Sequence, residues 1–304
     1  MYRVSPETPA PEELTVAVPG GDLAVVRWPA TVPGAPTVVA AHGTTANALA
    51  WGQVARQLAG RATLIAPDLR GRAASRTVRA PYGIARHADD LSELIGALGL
   101  GRVRLAGHSM GAWVAALTAL RHPALVERLL LVDGAVSFPL PVGADPDEVM
   151  AAVLGPSLAR LSTTFPDREA YRGFWRGLPA FAAEWTAESD AFAQRDLVGA
   201  EPELRSSCVP EAIREDSRQV MLDADVTTAI HRVSCPVRLL WAERGLQDEP
   251  QGLYDQTRLE AAALDLAEVS VSPVPGTNHY TILMGQDGAA VVAEHLLAED
   301  EPRG

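Results

Sequence analysis

Short, continuous apolar runs alternate along this chain with stretches whose apolar residues recur every three to four positions. The runs at 37–41, 63–66, 103–106, 129–132, 237–241 and 269–274 read as strands buried on both faces. Helical spacing fills 51–58, 82–98, 110–120 and roughly 252–263 and 288–298. In 82–98 the polar positions Asp89, Asp90 and Glu93 fall on the expected wet side. Ahead of this alternation, 14–18 and 23–28 flank Pro19-Gly20-Gly21-Asp22, a hairpin with a turn-forming linker. Strand and helix alternating from residue 37 onward predict an α/β fold: a mostly parallel sheet with helices on both faces.

One stretch breaks the rhythm. From 137 to 231 the pattern holds only helical segments separated by prolines and glycines, with no clear strand. It reads as a helical cap inserted between the sixth and seventh strands. The core would then comprise 13–136 and 232–304, with 1–12 as a loose arm bearing prolines and glutamates. All five phenylalanines, Phe138, Phe165, Phe174, Phe181 and Phe192, fall inside the cap, together with Tyr171, Trp175 and Trp185. Some of these rings must join cap to core. A roof so aromatic also predicts an apolar substrate chamber, for which Phe138, Phe174, Trp175 and Phe181 are the candidate lining.

The chemistry begins at Gly107-His108-Ser109-Met110-Gly111, a G-x-S-x-G pattern directly after a strand and directly before a helix. In that context a tight, strained turn lifts the serine hydroxyl above the sheet, and the flanking glycines avoid collisions. Ser109 is therefore the expected nucleophile. The backbone N–H of Met110 faces the developing oxyanion at a helix N-terminus.

With these motifs the sequence resembles the α/β-hydrolase family over essentially 14–297. His42-Gly43 resembles the family's HG loop, which implies Thr44 N–H as the second oxyanion donor. Pro67-Asp68-Leu69-Arg70-Gly71 resembles its D-x-R-G stretch, continued here by Arg72-Ala73-Ala74-Ser75 where relatives often carry a second glycine. The resemblance puts the general base after the last strand, where Val274-Pro275-Gly276-Thr277-Asn278-His279 supplies His279. The other six histidines read as structural, capping or linker residues. The acid has two candidates. Many relatives place it just after the seventh strand, but Gly245 stands there, with Asp248 three residues later. Others, including haloalkane dehalogenases and zearalenone lactonases, take it from the end of the sixth strand, where Asp133 stands and where Asp133-Gly134 also reads as an ordinary turn. Asp133 is favoured and Asp248 is the alternative.

The implied reaction is acyl transfer to water by a serine hydrolase acting on an apolar carboxylic ester or lactone, without metal or cofactor. Carbon–carbon bond hydrolysis and cofactor-free perhydrolysis use the same triad, and a ligand receptor on this fold is the rival of another class. Composition narrows the partners. The formal net charge of −12 argues against nucleic acid or an anionic membrane. No apolar run approaches the roughly 20 residues of a membrane span. The chain has no lysine, hence no P-loop lysine, and its all-arginine cations read as composition bias. Cys208 and Cys235 are too few and too isolated for a disulfide framework or a zinc site, so the expected setting is cytoplasmic. A homo-oligomer is left open.

Overall fold

The computed structural model describes residues 10–138, 140, 143–264 and 269–299. Of the expected arm, residues 1–9 lie outside the described residues, and Glu12 already opens the first strand. Strands β1 (Glu12–Val18) and β2 (Gly21–Trp28) form the expected hairpin, closed by the pairing of Val18 with Gly21. Then β3 (Thr37–Ala41), α1 (Gly52–Leu58), β4 (Thr63–Pro67), α2 (Ile84–Ala97), β5 (Val103–His108), α3 (Met110–Arg121) and β6 (Val126–Val132) alternate. The inserted segment carries α4 (Pro146–Leu154), α5 (Pro156–Ala159), α6 (Arg168–Arg176), α7 (Ala187–Arg195), the two-residue strands β7 (Leu197–Val198) and β8 (Arg205–Ser206), α8 (Pro210–Leu222) and α9 (Ala224–Thr228). The chain returns through β9 (Val237–Arg244), α10 (Gln256–Ala261), β10 (Val269–Asn278), α11 (Thr281–Met284) and α12 (Gln286–Leu297). This is the α/β-hydrolase fold. No helix among the described residues is long and apolar enough to cross a membrane.

Among the described residues the main sheet runs β1-β2-β4-β3-β5-β6-β9-β10. β1, β2 and β4 pair antiparallel, and every pairing from β4 through β3 to β10 is parallel. Burial follows position. Every residue of central β5 is buried, whereas edge strand β1 turns Glu12, Glu13, Thr15 and Ala17 to solvent. One apolar cluster fills the space between the sheet and α2, α3 and α10; it takes in Val226, Ala229 and Ile230 from the end of the inserted segment. The other lies under α1 and α12 and continues upward into Phe165, Tyr171, Trp175, Phe181 and Phe192. The insertion thus packs on both faces of the sheet.

Two local expectations change. The insertion holds strand pairing after all: β7 with β8, and Phe165 bridged to Leu204. Strands of two residues carry no readable alternation, which is why the pattern misses them. Asp90 is buried, because Arg70 donates to both its oxygens at 2.9 and 2.8 Å, with Arg86 on the same carboxylate. A paired charge overrides the amphipathic rule.

Candidate active site

β5 ends at His108 and α3 begins at Met110, so one residue makes the whole strand-to-helix turn. Ser109 takes φ 53 and ψ −128, a conformation that costs an L-residue about 1–3 kcal/mol. The turn closes only because its neighbours lack side chains. A Cβ on Gly107 would lie 2.0 Å from Gly111 O, and one on Gly111 would lie 2.3 Å from Ala41 O. A third glycine belongs to the same construction: a Cβ on Gly134 would meet Ser109 O at 2.3 Å. The Asp133-Gly134 dipeptide is therefore more than a turn. It is the surface against which the serine turn packs.

β10 delivers His279 at its C-terminal end, beside the elbow, with the ring buried. Its Nδ1–H donates to Asp133 Oδ2 at 2.6 Å. Asp133 follows β6, is wholly buried, and sits at φ 47. Its other oxygen accepts from Ala242 N at 3.1 Å on neighbouring β9. With Nδ1 carrying the proton, Nε2 is left with its lone pair free to act as a base. Asp248, at φ 65, turns elsewhere: Arg244 Nε reaches it at 2.9 Å and Asn278 Nδ2 donates to it at 2.9 Å. Parallel neighbours β6 and β9 both end near β10, yet only the first loop brings its carboxylate to the histidine.

Thr44 and Met110, the expected oxyanion donors, flank Ser109 from two loops. Met110 is the first residue of α3, so its N–H belongs to the helix end that lacks intrahelical acceptors. Thr44 lies in the loop after β3, close enough to the elbow that a Cβ on Gly43 would come 3.2 Å from Ser109 Cβ. His42 and His108 hold this region as neutral rings. Burial lowers His42 to about 3; it donates Nδ1–H to Gly43 O at 2.8 Å and accepts from Leu69 N at 2.9 Å. Burial, and then the charge of His279, lower His108 well below the usual histidine range. Its Nε2–H donates to His279 O at 2.8 Å, and the two rings lie 4.7 Å apart. His108 thereby fixes the backbone at His279.

Ser109, His108, His279, Gly43 and Thr44 open onto one cavity of about 40 Å³. Leu154, Phe192, Leu246, Tyr280 and Met284 close its other sides. None of the four aromatics picked from the sequence lines it. Phe138 is the most exposed, packed on Tyr254 and beneath Arg258. Trp175 is the hub of an edge-to-face cluster with Tyr171, Phe174, Phe181, Phe192 and Tyr280. Rings that bury most area serve best as filler between insertion and sheet; of the cluster, Phe192 from the insertion and Tyr280 from the core reach the cavity. Tyr280 and Met284 had a readable signal: Tyr280 directly follows His279, and Met284 comes four residues after Tyr280, one helical turn on. Leu154 and Leu246 had none. Among the described residues, no group of three or more histidines, cysteines or carboxylates is arranged to hold a metal ion.

Against known proteins, the sequence model described as "Alpha/beta hydrolase family" matches residues 38–294. The 2-(acetamidomethylene)succinate hydrolase of Mesorhizobium japonicum is 27% identical over 249 residues, 81% of this chain and 82% of that protein. The N-formylmaleamate deformylase of Pseudomonas putida is 29% identical over 222 residues, 72% and 74% of the two chains. Uncharacterized proteins of Mycobacterium tuberculosis and Mycobacterium bovis reach 41% identity, but over 97 residues only; this chain spans 28% of their length. Among solved structures, a thioesterase domain from the curacin biosynthetic pathway superposes with a TM-score of 0.73 at 22% identity, covering 95% of this chain and 100% of that one. At that identity the likeness concerns the fold.

Proposed function

The chain belongs to the α/β-hydrolase family, and from that premise we propose that it is a serine hydrolase cleaving a carboxylic ester or lactone of a small, apolar molecule through an acyl-enzyme. The observation that carries the reading is the 2.6 Å hydrogen bond from His279 Nδ1–H to buried Asp133, on the same cavity as the strained Ser109. In the proposed reaction His279 Nε2 takes the Ser109 proton as Oγ attacks the carbonyl carbon. The amides of Thr44 and Met110 receive the oxyanion, and the N-terminus of α3 adds its partial positive charge. His279 then protonates the leaving alcohol; next it takes a proton from water as the hydroxide attacks the acyl carbon, and it returns that proton to Ser109 Oγ as the C–Oγ bond breaks and the acid leaves. Asp133 accepts from Nδ1–H throughout and stabilises the imidazolium.

The two full-length relatives compared above are both named for carboxylate substrates. A carboxylate taken out of water needs a cation or several donors. Apart from the proposed reacting groups, His108, Tyr280 and the Gly43–Thr45 loop, the lining is apolar (Ala46, Ala50, Leu154, Phe192, Leu246 and Met284) and includes no arginine among the described residues, which supports an uncharged acyl group. The cavity also falls far below the roughly 300 Å³ of an ordinary ligand site, which supports a short acyl chain on that side of the scissile bond.

The test pairs labelling with turnover. Phenylmethylsulfonyl fluoride should modify Ser109 alone, and p-nitrophenyl acetate and butyrate should turn over many times per protein. Single-turnover behaviour would favour the ligand-receptor reading, and modification at another residue would sink the nucleophile assignment.

A further inference from the structure

Behind the loop that supplies Thr44, two buried arginines grip consecutive carbonyl groups. In a trans peptide the C=O and the N–H point to opposite sides, so whatever holds the carbonyl aims the amide. Gly43 O is held by His42 Nδ1–H at 2.8 Å, which turns the Thr44 amide the other way. Thr44 O accepts from Arg72 Nε at 3.0 Å, and Thr45 O accepts from an Arg160 terminal nitrogen at 3.0 Å. Gly43, Thr44, Thr45 and Ala46 line the cavity, and the turn closes on itself through Ala46 N–H, which donates to Gly43 O at 3.2 Å.

Each arginine is itself held. Arg72 pairs with Asp216 at 2.5 Å, and His87 Nε2–H donates to the same oxygen at 3.0 Å. Burial pushes the Asp216 carboxyl up, but the charges of Arg72 and His87 outweigh it and hold the group at about 2. Arg160 pairs with Asp196, which also accepts from Tyr171, Ser206 and Ser207. The Arg160 guanidinium lies 4.6 Å over the Trp175 ring. Both arginines are fully buried. Both carboxylates come from the segment inserted between β6 and β9.

Ion pairs this deep contribute little net stability, since apolar residues of similar volume do as well or better. Two of them converging on adjacent carbonyls of one loop point to geometry as their role. We propose that Arg72 and Arg160 are positioning residues for the oxyanion hole, holding the Gly43–Ala46 turn from behind through its Thr44 and Thr45 carbonyls so that the Thr44 amide stays aimed at the reacting carbonyl. The insertion thereby takes part in catalysis through Asp196 and Asp216. This rests on the serine-hydrolase reading above.

The experiment compares Arg72→Lys and Arg160→Lys, which keep the charge opposite each carboxylate but lose the fork that reaches the loop. The substrate is p-nitrophenyl acetate. Each variant should lose about 10- to 100-fold in kcat, the scale of a small displacement of oxyanion donors, with KM within about twofold. The pH midpoint of kcat/KM should stay at the wild-type value, because His279 and Asp133 are untouched. Arg195→Lys is the control: Arg195 also bridges insertion and core, to Asp68 and Glu13, but grips no loop carbonyl, so its kcat should stay within about twofold. Wild-type kcat in the folded lysine variants, a loss equal to that of Arg195→Lys, or a shifted pH midpoint would overturn the proposal. Phenylmethylsulfonyl fluoride labelling of the wild type separates the failures. If Ser109 is labelled while the lysine variants keep full kcat, only the positioning role falls.

Discussion

The floor and the roof of the cavity are built by opposite means. On the floor, at the C-terminal edge of the sheet, backbone decides: Ser109, Asp133 and Ala135 all take positive φ, and glycines 107, 111 and 134 admit no Cβ. In the roof, side chains decide, with Trp175 meeting five other rings edge to face. A floor residue is bound to one identity because close-packed main chain cannot give way. A roof residue contributes area, which neighbouring rings can partly make up. The residues of the proposed chemistry sit on the first kind of structure, and the insertion reaches the cavity through Leu154 and Phe192.

The floor should therefore fail abruptly. Gly134→Val puts a branched side chain where a single Cβ already meets Ser109 O at 2.3 Å. It should destabilise the fold by roughly 3 kcal/mol or more and abolish turnover, as a urea titration and an ester assay would record. Ser109→Ala should lose at least about a thousandfold in kcat with an unchanged or raised Tm, since it removes the nucleophile without adding volume. A Gly134→Val protein with normal activity would erase the distinction between floor and roof.

Next in size is the contrast between the two carboxylates. Asp133→Asn keeps the shape but offers His279 Nδ1 the wrong partner; kcat should fall by about two to four decades. Asp248→Asn, on a partly exposed loop and paired with Arg244, should stay within about tenfold. The reverse order of losses would move the acid to the loop after β9.

In the roof, Trp175→Ala should cost about 3–5 kcal/mol in a denaturation experiment with little change in acyl-chain preference. Phe192→Ala, by contrast, should raise the rate on hexanoyl relative to acetyl esters, because this ring walls the cavity. If Trp175→Ala changes chain preference as much as Phe192→Ala does, filler and lining are not separate roles.

The smallest effect is a pH dependence of the floor. His42 titrates at about 3 when folded against roughly 6.5 unfolded, chiefly through burial. The unfolded chain therefore takes up a proton first as pH falls. Stability is full above about 6.5 and declines as pH drops toward 3, by about 2 kcal/mol at pH 5 from this ring alone. Urea midpoints at pH 7 and pH 5 should differ less in His42→Gln than in the wild type.

The elements and two of the three proposed catalytic residues were legible in the chain because their signals are local. A strand, G-x-S-x-G and a helix are contiguous, and His279 follows the last strand by a few residues. The proposed acid was harder, since Asp133 directly follows β6, Asp248 lies four residues past β9, and the difference lies in where each loop aims. The lining of the cavity was illegible. Eight aromatics in the insertion announce packing, but which ring reaches the serine depends on how that segment seats itself on the sheet.

By itself, then, the sequence determined what is encoded at short range: the alternating elements, the strand-turn-helix elbow at Ser109 and the position of His279 after the last strand. The tertiary structure decided everything that joins distant residues. Asp133 meets His279 across 146 positions, Arg160 reaches Thr45 O across 115, and Arg72 reaches Thr44 O across 28. In a chain without lysine, arginines that hold a loop look the same as arginines on the surface. Only burial, with a carboxylate brought from another element, distinguishes them, because a charge removed from water persists only where the fold has delivered its partner.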